Sequence, residues 1–237
     1  VGFTQVTGGS RTAFATGIAA ITCAEEIKKL MKERAAKIWE TQAAEIDFKD
    51  GVFISKKNPK DSLTFKQLAG RLMQTGGPLT ASVMTNATGV GSSFAGTLVD
   101  VEVDTETGKV DVIRATGVQD VGQAAHPSYV EGQVQGGTVQ GIGWALNEEY
   151  FYNDQGVMAN SSFLDYRMPT SLDLPMVDAV LVQVPNPGHP FGLRGVGEVS
   201  IVPPMAAVAN AVHNAIGTRM GHLPITPGSV VKALQKK

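Results

Sequence analysis

The sequence predicts an α+β fold of mixed helices and antiparallel β-hairpins and sheets. Three observations carry that expectation. Apolar residues recur at three- to four-residue spacing near the start and the end of the chain, the helical period. Between them, alternating apolar and polar runs flank Gly-containing turns, the hairpin pattern. Helices and hairpins are interspersed without the strict strand–helix alternation of a parallel sheet.

The elements follow in order. After a polar, Gly-rich opening, Ala19, Ala20, Cys23, Ile27, Leu30 and Met31 share one face of a long helix, with Ser10 or Thr12 as its N-cap. AEIDFKDGVFI alternates around Asp50-Gly51 and predicts a hairpin. Ser62 and Thr64 open a shorter helix that Gly76-Gly77-Pro78 stops. FAGTLVDVEVD and KVDVIRATGVQD flank the turn Thr105–Gly108 as a strand pair. Residues 127–149 look helical at both ends yet hold five glycines, each costing ~1 kcal/mol relative to Ala inside a helix. A hairpin around Asn153–Gly156, a strand VDAVLVQV and a Gly/Pro-dense loop, PNPGHPFGLRGVGE, come next. Two helices close the chain, one with Pro203-Pro204 in its first turn and Gly217 past its end, the other opened by Thr226-Pro227.

Composition excludes several classes. The 237 residues are 43% hydrophobic and 18% charged, with mean hydropathy +0.01, enough apolar material for a core. A net charge of −2 and a pI near 6.1 give no basic field for nucleic acid or anionic lipid. Cys23 is the one cysteine, so no internal disulfide and no Cys-rich metal cluster forms, and its apolar helical setting suggests a structural thiol. His126, His189, His213 and His222 are scattered without i, i+4 pairing. No 18-residue apolar run and no leader-like segment stands out, so the cytoplasm is the expected compartment. The first residue is Val, which suggests a processed piece or a fragment of something larger.

Glycines number 27 against a usual ~7% of residues, and they gather around three constellations. In Gly195-Val196-Gly197-Glu198 a carboxylate follows two small residues at the mouth of an apolar helix. With Val196, Val199, Ile201 and Val202 around it, it is placed to act as a general base, or else it stabilises a helix N-terminus. Thr7-Gly8-Gly9-Ser10-Arg11-Thr12 exposes backbone N–H groups at a helix start, an anion-binding arrangement or an ordinary capped end. Gly132–Gly141 sets three glutamines among glycines, either a polar surface for a flat ligand or a tight helix crossing.

Taken together and in this order, TGGSRTAFATG, EGQVQGGTVQGIGWALNEE, DYRMPTSLDLP, GLRGVGE and VPPMAAVANAV resemble the large subunit of the molybdenum hydroxylases, the xanthine dehydrogenase and aldehyde oxidase family. The resemblance covers essentially the whole chain. It implies that residues 1–237 form the C-terminal molybdopterin-binding region, akin to the family's second cofactor-binding domain, with a sub-boundary near 76–92.

The implied chemistry is oxidative hydroxylation with water-derived oxygen at a molybdenum–pterin cofactor, in molybdopterin or cytosine-dinucleotide form. The substrate would be an aldehyde, an N-heterocycle or a related compound. Glu198 falls on the family's catalytic base. Gly8, Gly9, Ser10, Arg11 and Thr12 fall on its pterin-binding loop, and Gln133 on the glutamine near the metal's apical oxygen. No protein ligand to molybdenum is implied.

Other cofactor motifs of the family, such as E-M-G-Q-G, are missing. The chain is therefore expected to need the N-terminal half of the subunit, an iron–sulfur subunit and an FAD subunit, in a dimer of the heteromeric unit. A carbon monoxide dehydrogenase-type or acyl-CoA reductase-type member, and a non-catalytic scaffold, are the alternatives.

Overall fold

The computed structural model describes residues 4–89 and 91–235. The chain divides into two compact units, one of Ala15–Thr88 and the other of Val1–Phe14 with Gly89–Lys237.

The smaller unit holds most of helix α1 (Thr12–Ile38) and a three-stranded antiparallel sheet, β1 (Ile46–Lys49), β2 (Val52–Ser55) and β3 (Ser62–Thr64), in that order. The hairpin expected at Asp50-Gly51 is there. Lys49 pairs with Val52, and both turn residues have positive φ, 49° and 80°, as a two-residue hairpin requires. Met31 and Ala35, one helical turn apart on α1, close over Ile46, Phe53, Leu63 and Leu68, all buried.

Ser62 lies in β3 rather than opening a helix, and Thr64 alone caps α2 (Phe65–Ala69) through a reciprocal box with Gln67. The expected single helix breaks at Gly70, and α3 (Leu72–Thr75) follows as a separate turn. Cys23 is half-buried, its thiol 3.6 Å from the Ala81 carbonyl.

In the larger unit β4 (Ala95–Val103), β5 (Val110–Asp120) and β6 (Val177–Val182) form a sheet in that order. β4 and β5 pair antiparallel about the expected turn, with a bulge between Asp100 and Val101, whereas β5 and β6 run parallel. The sheet is therefore mixed, because the chain returns to β6 through helix α4 (Pro127–Leu146) and a long irregular segment instead of a hairpin turn. The hairpin expected at Asn153–Gly156 is reduced to a tight turn with one bridge, Tyr152 to Met158.

Helices α4 and α5 (Val202–Ile216) cover one face of this sheet. Val112, Ala115, Ile142, Ala145, Val208 and Val212 meet there in the core. Each fully buried Val or Ile contributes roughly 1.5–3 kcal/mol. Val199–Ile216 is apolar enough, at mean hydropathy 1.2, to pass as a membrane span by composition, but Val208, Val212 and Ile216 lie in this core. Thr226 caps α6 (Pro227–Leu234), and Gly217 ends α5 in the left-handed conformation, both as the sequence predicts.

Candidate functional site

The loop 185–198 is held by its own polar groups and by the ends of the sheet. Asn186 donates from Nδ2 to the Leu193 carbonyl at 3.0 Å, and the Gln123 and Asn186 N–H groups both reach the Gly192 carbonyl at 2.9 Å. Arg194 ties the loop to the sheet. Its Nε lies 3.1 Å from the Asp120 carboxylate at the end of β5, and its Nη1 donates 2.7 Å to the Ser92 carbonyl before β4. The two ion-pair side chains are only 12% and 13% exposed.

Ser10 and Phe14 dock against this loop. Phe14 is fully buried and packs on the His189 ring at 5.0 Å. The His189 Nδ1 accepts from the Phe191 N–H at 3.1 Å, which places the ring proton on Nε2. Four residues before Phe14, Ser10 adopts φ 57°, a left-handed conformation uncommon for a residue with a side chain, directly after Gly9 at φ 64°.

That turn aims both the backbone N–H and the hydroxyl of Ser10 at Glu198, the hydroxyl also lying 3.5 Å from Oε2. The Ser10 N–H donates to Glu198 Oε2 at 2.6 Å, and the Glu198 N–H donates to Ser10 Oγ at 2.7 Å. Ser10 is therefore not an N-cap; its hydroxyl serves the distant loop, and Thr12 begins the helix. The glycines before Glu198 clear space for protein atoms. A Cβ at Gly195 would come within 2.8 Å of Ser10 Cβ, and one at Gly197 within 2.9 Å of Gln133 Oε1.

Ser10, Gln133 and Glu198 are thus brought to one place by three segments far apart in the chain. Glu198 is exposed, so the apolar surroundings expected from Val196, Val199, Ile201 and Val202 do not close over it within this chain. Val202 itself is 65% exposed.

The other expected residues sort differently. Gly8 and Gly9 have open space where a Cβ would stand. Arg11 donates to Gln5 Oε1 at 2.6 Å and Thr12 to Thr7 Oγ1 at 3.1 Å. On α4, Gln133 is exposed, whereas Gln135 is tied to the Val177 carbonyl at 3.0 Å and has a structural role. The α4 glycines divide as well: Gly137 and Gly141 admit Ser200, Ile201 and Pro204, while Gly132 and Gly136 face open space. A tight helix crossing and a free polar surface therefore coexist on one helix.

Gln119 and Asp120, which hold the Glu198 loop through Val196 and Arg194, are not marked by any motif. Their signal, two polar residues ending an apolar strand, is too common to be informative. Among the described residues no three His, Cys, Asp or Glu side chains gather to hold a metal ion.

Residues 1–175 match the molybdopterin cofactor-binding domain family. The chain belongs to that family.

The xanthine dehydrogenase molybdenum-binding subunit of Escherichia coli O157:H7 is 34% identical over 223 residues, which is 92% of this chain and 30% of that subunit. The carbon monoxide dehydrogenase large chain of Afipia carboxidovorans is 28% identical over 92% of this chain and 28% of its own length. Among solved structures, quinoline 2-oxidoreductase from Pseudomonas putida 86 superposes with a TM-score of 0.77 at 28% identity, covering 98% of this chain and 31% of that one. Cu,Mo-CO dehydrogenase superposes at 0.78 with 26% identity. The chain spans about 30% of the length of these relatives. The molybdopterin-binding domain described here thus has the expected α+β class, and its family's cofactor is the molybdenum pterin.

Proposed function

We propose that this chain is the C-terminal part of the molybdopterin-binding subunit of a molybdenum hydroxylase, with Glu198 as its general base. The observation that carries the reading is the reciprocal Ser10–Glu198 pair, formed beside Gln133 at an exposed surface. These residues fit the group. Gly8 and Gly9 leave backbone open to a flat anionic ligand, as do Gly132 and Gly136 beside the exposed Gln133 amide. Gly8, Gly9, Ser10, Arg11 and Thr12 would line the pterin, and Gln133 would donate toward the metal centre. When bound, the molybdenum cofactor supplies a two-electron acceptor and a site for water-derived oxygen.

This chain's contribution is proton handling. Oε2 of Glu198 is held by the Ser10 N–H, which leaves Oε1 to take a proton from the attacking oxygen. The Glu198 N–H, fixed on Ser10 Oγ, prevents the carboxylate from swinging with its loop. Exposure of Glu198 within this chain fits a site completed by further polypeptide. The N-terminal half of the subunit would close over it, and iron–sulfur and FAD subunits would carry electrons away in a cytoplasmic complex, a dimer of the heteromeric unit. The match to only 30% of the relatives' length supports that incompleteness.

Glu198→Gln in the assembled complex tests the reading. Turnover with a panel of aldehydes, purines, pyridine-type heterocycles and acyl-CoA substrates should fall at least ~100-fold, the scale of a general base, with molybdenum and pterin content unchanged. Activity retained within tenfold on every substrate that the native complex oxidises would remove Glu198 from the role.

A further inference from the structure

Gln119 lies near the C-terminal end of β5 and is 1% exposed. Its Nε2 donates to the Val196 carbonyl at 3.1 Å and reaches the Gly195 carbonyl at 3.5 Å. Its Oε1 is buried without a hydrogen-bond partner among the described residues. An amide buried with one half unpaired is a poor choice for packing alone, since an apolar side chain of equal volume would avoid that cost. What the amide adds is a donor fixed on the rigid strand and aimed at the backbone just before Glu198.

The neighbouring Asp120–Arg194 pair holds the loop earlier, at residue 194, and Ser10 holds it later, at residue 198. Between those anchors, Gly195-Val196-Gly197 has little side-chain bulk to fix its conformation, and glycine is conformationally permissive. Gln119 adds a hydrogen-bonded restraint there, beside the close packing of Gly195 on Ser10 and of Gly197 on Gln133.

We propose that Gln119 is a positioning residue for Glu198, setting the conformation of the 195–197 backbone that delivers the carboxylate. The proposal rests on the general-base reading of Glu198. It adds that the geometry of the base depends on a donor that meets neither substrate nor cofactor.

The test uses the assembled complex carrying Gln119→Met or Gln119→Leu, which keep most of the volume and leave no donor. The expected result is a kcat reduced roughly tenfold or more, since small misplacements of a catalytic group cost up to ~100-fold. KM should stay within twofold and molybdenum content should be unchanged. Backbone amide exchange should quicken in the peptide spanning 192–200, including the Glu198 N–H bound to Ser10.

Val212→Ala, a cavity in the fully buried core, serves as the control for lost stability. It should leave kcat and exchange at 192–200 as in the native complex. A kcat within twofold of native in both Gln119 variants would overturn the proposal. So would a fall that merely tracks molybdenum content, exchange at 192–200 unchanged from native, or failure of both variants to assemble, which would make Gln119 a residue of folding. If Glu198→Gln stays active, the general-base reading fails whatever Gln119 does; if it is inactive while both Gln119 variants behave as native, only the positioning role fails.

Discussion

Replacing Gly137 by Ala should destabilise the protein, although the substitution improves intrinsic helix propensity. In an open helix position Ala is favoured over Gly by ~1 kcal/mol. At Gly137 the added Cβ would overlap Ser200 Oγ, stand 3.0 Å from Ser200 Cβ and lie 3.2 Å from the Ile201 backbone nitrogen. Rotation of the serine hydroxyl removes the first clash only. The other two require α4 to back away from the 199–201 turn, and overpacking of this kind typically costs ~1–3 kcal/mol or more. We expect a net loss of about 1–2 kcal/mol, which for a chain of this length is a Tm lower by roughly 2–8 °C.

Gly136, the preceding residue on the same helix, has nothing within 4 Å of its would-be Cβ. Gly136→Ala should therefore raise stability by about 0.5–1 kcal/mol. Urea unfolding of native protein and both variants reads the contrast directly. Ser200→Ala combined with Gly137→Ala should recover part of the loss, because the overlapping oxygen is gone. If Gly137→Ala is as stable as native, or both alanines shift stability in the same direction, the assignment of these glycines to packing and to open surface is wrong.

Arg194→Met should cost about 3–5 kcal/mol by leaving the nearly buried Asp120 carboxylate without its cation; pairing it with Asp120→Asn should restore much of that in thermal unfolding, and no recovery would count against the ion pair as the cause. Asp173 is held below its ordinary value of 3.8 by the Thr170 backbone N–H and then the Thr170 hydroxyl. A depressed carboxyl adds stability above its unfolded pKa and loses it as pH falls through the folded one. The difference in urea midpoint between native protein and Asp173→Asn should thus be present at neutral pH and fade as pH drops below about 4. A gap of constant size would refute the linkage. Burial, and then the hydrogen bond to Glu148 at 2.8 Å, push the Tyr166 hydroxyl up to about 12. Its contribution should be complete below its ordinary value of 10 and lost as pH rises through 12. Phenolate absorbance should show one late-ionising tyrosine that Tyr166→Phe removes.

Local chemistry made several elements legible in advance. Asp50-Gly51, Thr64, Gly217 and Thr226-Pro227 each specify a turn or cap through contacts within a few residues, and each appears in the fold. Relations set by distant partners were not legible. The Ser10 hydroxyl looks like a helix cap until Glu198 is brought to it, and nothing near Val177 says that β6 pairs parallel with β5. The five glycines of α4 gave one ambiguous signal that the fold splits by face, two against the neighbouring 199–204 segment, one against Glu148 and Pro169, and two in open space. Glu198 was singled out by its motif, whereas Gln119 supports it from a strand whose pattern is ordinary.

The paired hydrogen bonds between Ser10 and Glu198 join residues 188 positions apart. During synthesis the first partner leaves the ribosome long before the second exists. Closing so long a stretch of chain carries an entropy penalty that only the completed sheet and its covering helices can offset. A nascent chain that has not reached residue 198 therefore holds Ser10 without the partner the finished fold gives it, and the anchoring of the Glu198 carboxylate waits on synthesis of nearly the whole larger unit.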